Sequence, residues 1–310
     1  SKETMRGKSE LKQEGNAANQ TSSGLDRDYI TNWSYGIGET LTLLVPNVKG
    51  GASSDNLSQS EAAMEKANPM YSSIYSQFPQ YFGDQPWTAG PVYVGAFVMF
   101  LFVLGCFIVK GPLKWALLGA TIFSVLLSWG KNFMGLTDFF IDYVPMYNKF
   151  RAVSSILVIA EFTIPLLAIF ALKEILGRPE ILKLKENRTG VIVSLVLTAG
   201  VSLVLAVAPG VFFSSFVTAQ EKAALQQGLP AEHLTPVVTN LTEMRKAIIA
   251  SDAWRSFFII AVGCFLLFLF LQKRLKASFT LVGIVLLCLA DMWCVNKRYL
   301  YDEQFVPKSK

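Results

Sequence analysis

An all-α integral membrane fold, with about six spanning helices behind a polar head of roughly 90 residues, is what this sequence predicts. Three observations predict it. Hydrophobic residues make up 52% of the 310 positions, although the first 90 are mostly polar. Charged residues fall to 16%, where a soluble domain carries about a quarter. The apolar excess is gathered into six runs, at 92–109, 115–129, 152–172, 191–213, 257–271 and 279–295. Crossing the hydrocarbon layer takes about 20 such residues. The six runs together hold two acidic or basic side chains, Glu161 and Asp291. Helices buried in a large soluble protein would show a polar stripe instead.

The head, 1–90, reads as irregular structure with short helices or strands. Stretches rich in Ser, Asn and Gly at 15–24 and 50–60 are loop signals. Between them, 26–46 has a more ordered pattern, with Tyr29, Trp33 and Tyr35 ahead of an apolar stretch at 41–45. Residues 60–68 suit a short helix stopped before Pro69. The aromatic run 71–87 suits an interfacial belt leading into the first span. The membrane region is then 91–297, with longer loops at 130–151 and 214–256 and a tail at 298–310. In the second of these loops, 218–227 and 241–256 read as helices separated by Gly228, Pro230 and Pro236.

Loop charge predicts orientation. Residues 110–114, 173–190 and 272–278 hold ten Lys/Arg in 30 positions, against seven in 65 for 130–151 and 214–256. The positive-inside rule places the first set in the cytoplasm. Head, longer loops and tail then gather on the outer, periplasmic face of a bacterial inner membrane. The net charge of +5 is explained by these loops, and nucleic acid is not an expected partner. The four cysteines all lie inside apolar runs, which gives no disulfide framework. The chain opens without Met, signal peptide or apolar segment, so earlier spans are expected upstream to carry the head across.

Soluble-type chemistry is poorly represented. A single histidine, His233, excludes His-based zinc sites, and no metal site is expected. No cofactor is indicated, although a divalent cation stays open. There is no phosphate-cradling Gly-Lys-Ser/Thr loop and no nucleophile elbow. The most informative stretch is 129–151. It leaves the membrane, remains strongly apolar, and re-enters after Lys149 and Arg151. Phe139, Phe140 and Tyr143 with Asp138 and Asp142 predict a short amphipathic helix in the interface. Lys131, Lys149 and Arg151 then stand at headgroup depth. Two readings fit them: a phosphate site on a lipid carrier, or cations that snorkel and anchor helix ends.

Asp252 and Arg255 share a helix face, as a local ion pair or a ligand contact. Glu161, near mid-span with Pro165 one turn later, is expected to face the bundle interior, because a charge at that depth costs about 2.5–3.5 kcal/mol. Asp291 is expected to reach water, Lys297 or Arg298. Asp26, Asp28 and Glu39 are the head carboxylates among which a general base is sought first.

Arg6-Gly7, the 26–29 segment Asp-Arg-Asp-Tyr, Ser34 to Glu39 leading to Pro46-Asn47, the 147–151 segment Tyr-Asn-Lys-Phe-Arg, and Asp252-Ala-Trp-Arg255 together resemble the bacterial YfhO-like membrane proteins of the kind found in Bacteroidetes. The resemblance runs over nearly the whole chain, and its most specific element is the Asn-Lys-Phe-Arg re-entry. That family is similar to the GT-C glycosyltransferases, which move a sugar from a polyprenyl-phosphate donor on the outer face to an envelope acceptor. The resemblance implies that Lys149 and Arg151 meet the donor phosphate and that Glu39 is an acid near the transfer site. The usual GT-C catalytic acid lies in the first outer loop, ahead of where this sequence begins, so no catalytic base carries over and the chain alone is expected to be inactive. The expected partners are membrane lipids, a polyprenyl-phosphate-linked sugar, and the preceding part of the same protein. Rival readings are a transporter or flippase of a lipid-linked precursor using Glu161, and a non-catalytic envelope scaffold.

Overall fold

The computed structural model describes residues 25–149 and 152–300. Its architecture is helical, and among the described residues no strand forms; Asn56 and Pro79 make one isolated bridge. The bundle is built from α1 (Ala96–Ile108), α2 (Pro112–Ser128), α3 (Met134–Tyr143), α4 (Val158–Gly177), α5 (Lys185–Val207), α6 (Ala219–Gly228), α7 (Ala231–Leu271) and α8 (Ala277–Tyr299). Four of these, α4, α5, α7 and α8, are long and apolar enough to cross a membrane. A fifth span is present if the bent pair α2–α3 is one crossing, and α1 is a shorter apolar helix of 13 residues. The chain is a multi-pass α-helical membrane protein.

Helix phase explains the packing. On α4 the residues Ala160, Thr163, Ile164, Leu167, Ala168 and Ala171 are buried, a spacing of three and four that forms one stripe. Small residues in that stripe let α1 and α2 approach closely. Thr121 of α2 and Thr163 of α4 share a hydroxyl hydrogen bond of 2.6 Å, which satisfies both groups where water is scarce. The same phase turns Glu161 outward, onto the exposed side of α4 beside Phe162. This corrects the expectation that Glu161 faces the bundle interior. The neighbouring Ala160, Thr163 and Ile164 already fill the packed stripe.

At the end of α2 the chain turns through 108° into α3. Gly130, with φ +43°, makes the corner; a methyl there would stand 2.1 Å from Ser34 Oγ. Helix α3 carries exposed Phe139 and Tyr143 and buries Thr137 and Ile141, as the sequence predicts for an interfacial helix. Arg27 pairs with both of its carboxylates, Asp138 and Asp142, and so ties the head to it.

The head packs into the bundle. Leu43, Leu44, Val45, Val48 and Phe82 belong to the same apolar core as α1 and α4. Tyr35 N donates to Ser128 O (2.8 Å), Trp129 Nε1 to Thr40 Oγ1 (2.9 Å), and Ser154 N to Trp33 O (3.1 Å). Head and longer loops therefore meet at one end of the bundle, opposite the Lys- and Arg-rich turns. Where the sequence predicts two helices split by prolines in 214–256, the structure has α6 and then one continuous α7 of 41 residues that contains Pro236. At 1.5 Å per residue α7 is about 60 Å long, roughly twice the hydrocarbon thickness. Its first half buries Val237, Leu241, Met244 and Ile248 against Leu57, Tyr71 and Tyr75 of the head. Arg245, fully buried there, donates to Glu221, Phe216 O and Pro79 O, and joins α6, α7 and head.

Candidate functional site

The site begins with Glu39, on the helical turn Gly38–Leu43. Its side chain is 1% exposed. Gly36 N donates to Oε2 at 2.6 Å, Tyr81 Oη donates to Oε1 at 2.5 Å, and Asp84 N reaches Oε2 at 3.4 Å. Two glycines make room for the carboxyl. A methyl on Gly83 would stand 2.1 Å from Oε1, and one on Gly36 would stand 2.8 Å from Asp84 Oδ2 and 3.0 Å from Glu39 Oε2. Both carboxylates therefore crowd the same glycine. Glu39 lies behind and Asp84 is exposed in front. Asp84 Oδ2 accepts from Asn132 Nδ2 at 3.2 Å, and its main-chain oxygen accepts from Lys131 Nζ at 3.1 Å.

In front of this pair is a cleft of about 640 Å³ that includes Lys49, Phe82, Asp84, Phe213, Thr218 and Lys222 in its lining. Lys49 Nζ lies 4.4 Å from the centre of the Phe213 ring and 4.8 Å from that of Phe82. Among the described residues no carboxylate comes within ion-pair distance of it. Burial lowers the Lys49 amine below its usual range, opposed by the negative charges of Glu39 and Asp84. The ring faces offer a cation a weak substitute for water. An anion entering the cleft would meet an ammonium already stripped of much of its hydration.

Burial likewise pushes the Glu39 carboxyl above its ordinary 4.5, opposed by its three hydrogen bonds. Tyr35 and Tyr81 are raised first by burial and then by the Glu39 charge. A carboxyl raised in the folded chain keeps its proton after the unfolded chain has lost it, so stability falls as pH rises from about 4.5 through the raised value. Glu39→Gln removes this titration and keeps an acceptor for Gly36 N. The melting temperature of the variant is expected to decline less than that of the wild type between pH 4.5 and neutrality. Parallel curves would show that Glu39 does not titrate in that window.

The other sequence candidates lie elsewhere. Asp26 caps the Arg27–Thr31 helix, accepting from Asp28 N at 2.9 Å, and Asp28 is exposed on that helix. Lys149 is exposed in the turn Tyr147–Lys149, where Asn148 O accepts from Leu25 N. It does not line the cleft. Arg151 lies outside the described residues. Of the three expected cations, Lys131 alone is shown beside the carboxylate pair.

Arg255 is engaged by Asp252 (3.2 Å) and by Asp291, which places it in an internal ion network away from Lys131. Asp291 is 2% exposed and accepts from Tyr93 Oη (2.7 Å) and Ala96 N (3.1 Å) besides Arg255. It thus turns inward, in place of the expected reach toward water, Lys297 or Arg298, because three donors converge on it from α1, α7 and the segment before α1. Arg298 instead pairs with Asp252 through both terminal nitrogens.

Asp84, Lys49 and Lys222 were not singled out by sequence reasoning. The available signal was a lysine four residues after the apolar stretch 41–45, and an acid following Tyr81-Phe82-Gly83. Among the described residues no group of three or more His, Cys, Asp or Glu could hold a metal ion. No family model, curated protein or solved structure matches the chain.

Proposed function

We propose that the chain carries the lipid-facing site of a polyprenyl-phosphate-sugar-dependent glycosyltransferase, working on the outer face of a bacterial inner membrane in envelope glycan modification. In this reading the chain crosses the membrane six times, with the head in the periplasm and the basic turns in the cytoplasm, as loop charge favours. The observation that carries the proposal is Lys49, held between two phenylalanine rings without a carboxylate partner among the described residues, in a cleft whose one lining carboxylate is Asp84. Phenyl rings and ammonium groups together suit an amphiphile with an anionic head.

Lys49 and Lys222 would hold the lipid phosphate. An acceptor hydroxyl oxygen attacks the anomeric carbon as the bond from that carbon to the phosphate oxygen breaks. The lipid phosphate leaves with the electron pair of the broken bond, and the hydroxyl proton passes to Asp84. Glu39, closed off from the cleft, acts as a positioning residue by bonding Asp84 N and Tyr81 Oη. The sequence resemblance would set Lys149 and Arg151 against the phosphate instead, and Lys149 does not line this cleft.

The test uses the intact protein in lipid nanodiscs with polyprenyl phosphate as probe. A charge-assisted hydrogen bond is worth about 1.5–3 kcal/mol, so Lys49→Met is expected to weaken binding by tenfold or more, and Lys49→Arg to retain most of it. Unchanged binding by Lys49→Met would remove the phosphate from this cleft.

A further inference from the structure

A second cleft, of about 430 Å³, lies where the head meets the outer end of α8. Most of its lining residues carry polar side chains: Asn47, Asp55, Gln59, Ser60, Gln80, Arg298 and Tyr299, with Gly50. We infer that this cleft is a binding site for a neutral, hydroxyl-rich ligand, a saccharide ring. It is separate from the Lys49 cleft, and its binding does not depend on the transfer reading.

Most of the polar groups in this lining are half engaged. Asn47 Oδ1 accepts from Tyr299 Oη at 2.6 Å, which fixes the amide and leaves its NH2 over. Gln59 Oε1 accepts from Asn56 N at 3.0 Å, again leaving the NH2. Gln80 donates through Nε2 to Asn56 O at 2.9 Å and keeps its carbonyl oxygen. Asp55 accepts from Ser54 Oγ through Oδ1 and keeps Oδ2. Ser60 Oγ accepts from Ala63 N and keeps its hydroxyl proton. Each side chain is thus oriented by one protein hydrogen bond and presents its other half without a partner among the described residues. The surplus contains both donors and acceptors, and adjacent hydroxyls on a sugar ring are each both. Because the groups are already oriented, a ligand would meet little of the ordering cost of binding.

Charge selects against the alternatives. Both terminal nitrogens of Arg298 are engaged by Asp252, at 2.8 and 2.9 Å, so the guanidinium adds little attraction for a phosphate, and the Asp55 carboxylate repels one. A metal cation would meet amide NH2 groups among its first neighbours. Gly50, in the lining, has φ +90°, and a methyl there would stand 1.9 Å from Gln80 O.

The experiment is ligand-observed saturation-transfer NMR on the full chain in nanodiscs. The probes are the methyl glycosides of glucose, galactose, mannose and N-acetylglucosamine. At least one is expected to receive saturation, and Asp55→Ala to weaken it tenfold or more. Melting temperature provides the check that the variant is folded. Asp84→Asn and Lys49→Met are expected to bind the glycoside as the wild type does, which separates this site from the phosphate cleft. The inference is overturned if no glycoside receives saturation, if a folded Asp55→Ala binds as the wild type, or if inorganic phosphate displaces the sugar.

Discussion

Asp252→Ala is expected to destabilise the protein by about 3–5 kcal/mol, the loss seen when one partner of a buried ion pair is removed. Asp252 accepts from both terminal nitrogens of Arg298, from Arg255 Nε at 3.2 Å and from Asn47 N at 2.9 Å. Asp291 closes the other side through Arg255, Tyr93 and Ala96 N. Two carboxylates and two guanidiniums thus balance in charge while joining the head, the start of α1, α7 and α8. Alanine at 252 leaves Arg298 without its carboxylate and the Asn47 amide unpaired, and makes the cluster net positive.

The penalty therefore comes from stranded partners more than from lost attraction. This distinction can be measured. The double variant Asp252→Leu with Arg298→Met removes both charges and is expected to recover much of the lost stability in thermal unfolding. If Asp252→Ala melts with the wild type, the network contributes nothing. If the double variant is as unstable as the single one, packing and not charge is what Asp252 supplies.

How far the sequence could be read follows from the range of the interactions involved. The membrane character was legible because a bilayer imposes a one-dimensional rule on composition: each of the six apolar runs contains helix, although four helices, or five crossings with the bent α2–α3 pair, are long enough to span, and α3 lies where an interfacial helix is predicted. Average cost assigns a mid-span charge such as Glu161 to the interior, whereas the phase of Ala160, Thr163 and Ile164 decides its direction. Spacing on α7 rightly paired Asp252 with Arg255. The partners that complete the pair, Asp291 and Arg298, are 36 and 46 positions away, and no local pattern reports such a contact.

Glu39 was singled out as an outer-face acid, and the structure buries it. Asp84, unremarkable in sequence, takes the exposed place because Gly83 turns the chain past the Glu39 carboxyl. The cleft likewise joins Lys49 to Phe213 and Lys222, residues brought together only by folding. Short-range chemistry was readable; the assembly of the site was not.

On the proposed transfer reading, Asp84→Asn is expected to lower glycan transfer by about 10²- to 10⁴-fold, the usual contribution of a positioned proton acceptor. The substitution is nearly isosteric, and its carbonyl oxygen can still accept from Asn132 Nδ2, the bond that orients Asp84 now. Asp84 N still points to Glu39, and Lys131 still has the main-chain oxygen at 84. What disappears is the carboxylate that the proposed reading assigns to take the acceptor's hydroxyl proton. Because Lys49 and Lys222 are untouched, polyprenyl phosphate is expected to bind Asp84→Asn as it binds the wild type, so the loss falls on kcat and not on donor KM.

Lys49→Met is expected to do the reverse, raising donor KM and leaving kcat within a few-fold. That opposite split is what a merely structural role for the two residues would not produce, since loss of folded enzyme lowers apparent kcat in both variants and leaves KM unchanged. Transfer by Asp84→Asn within threefold of the wild type would mean that the proton leaves by another route. The cleft would then stand as a lipid-phosphate site alone, with its acid–base chemistry supplied from outside the described residues.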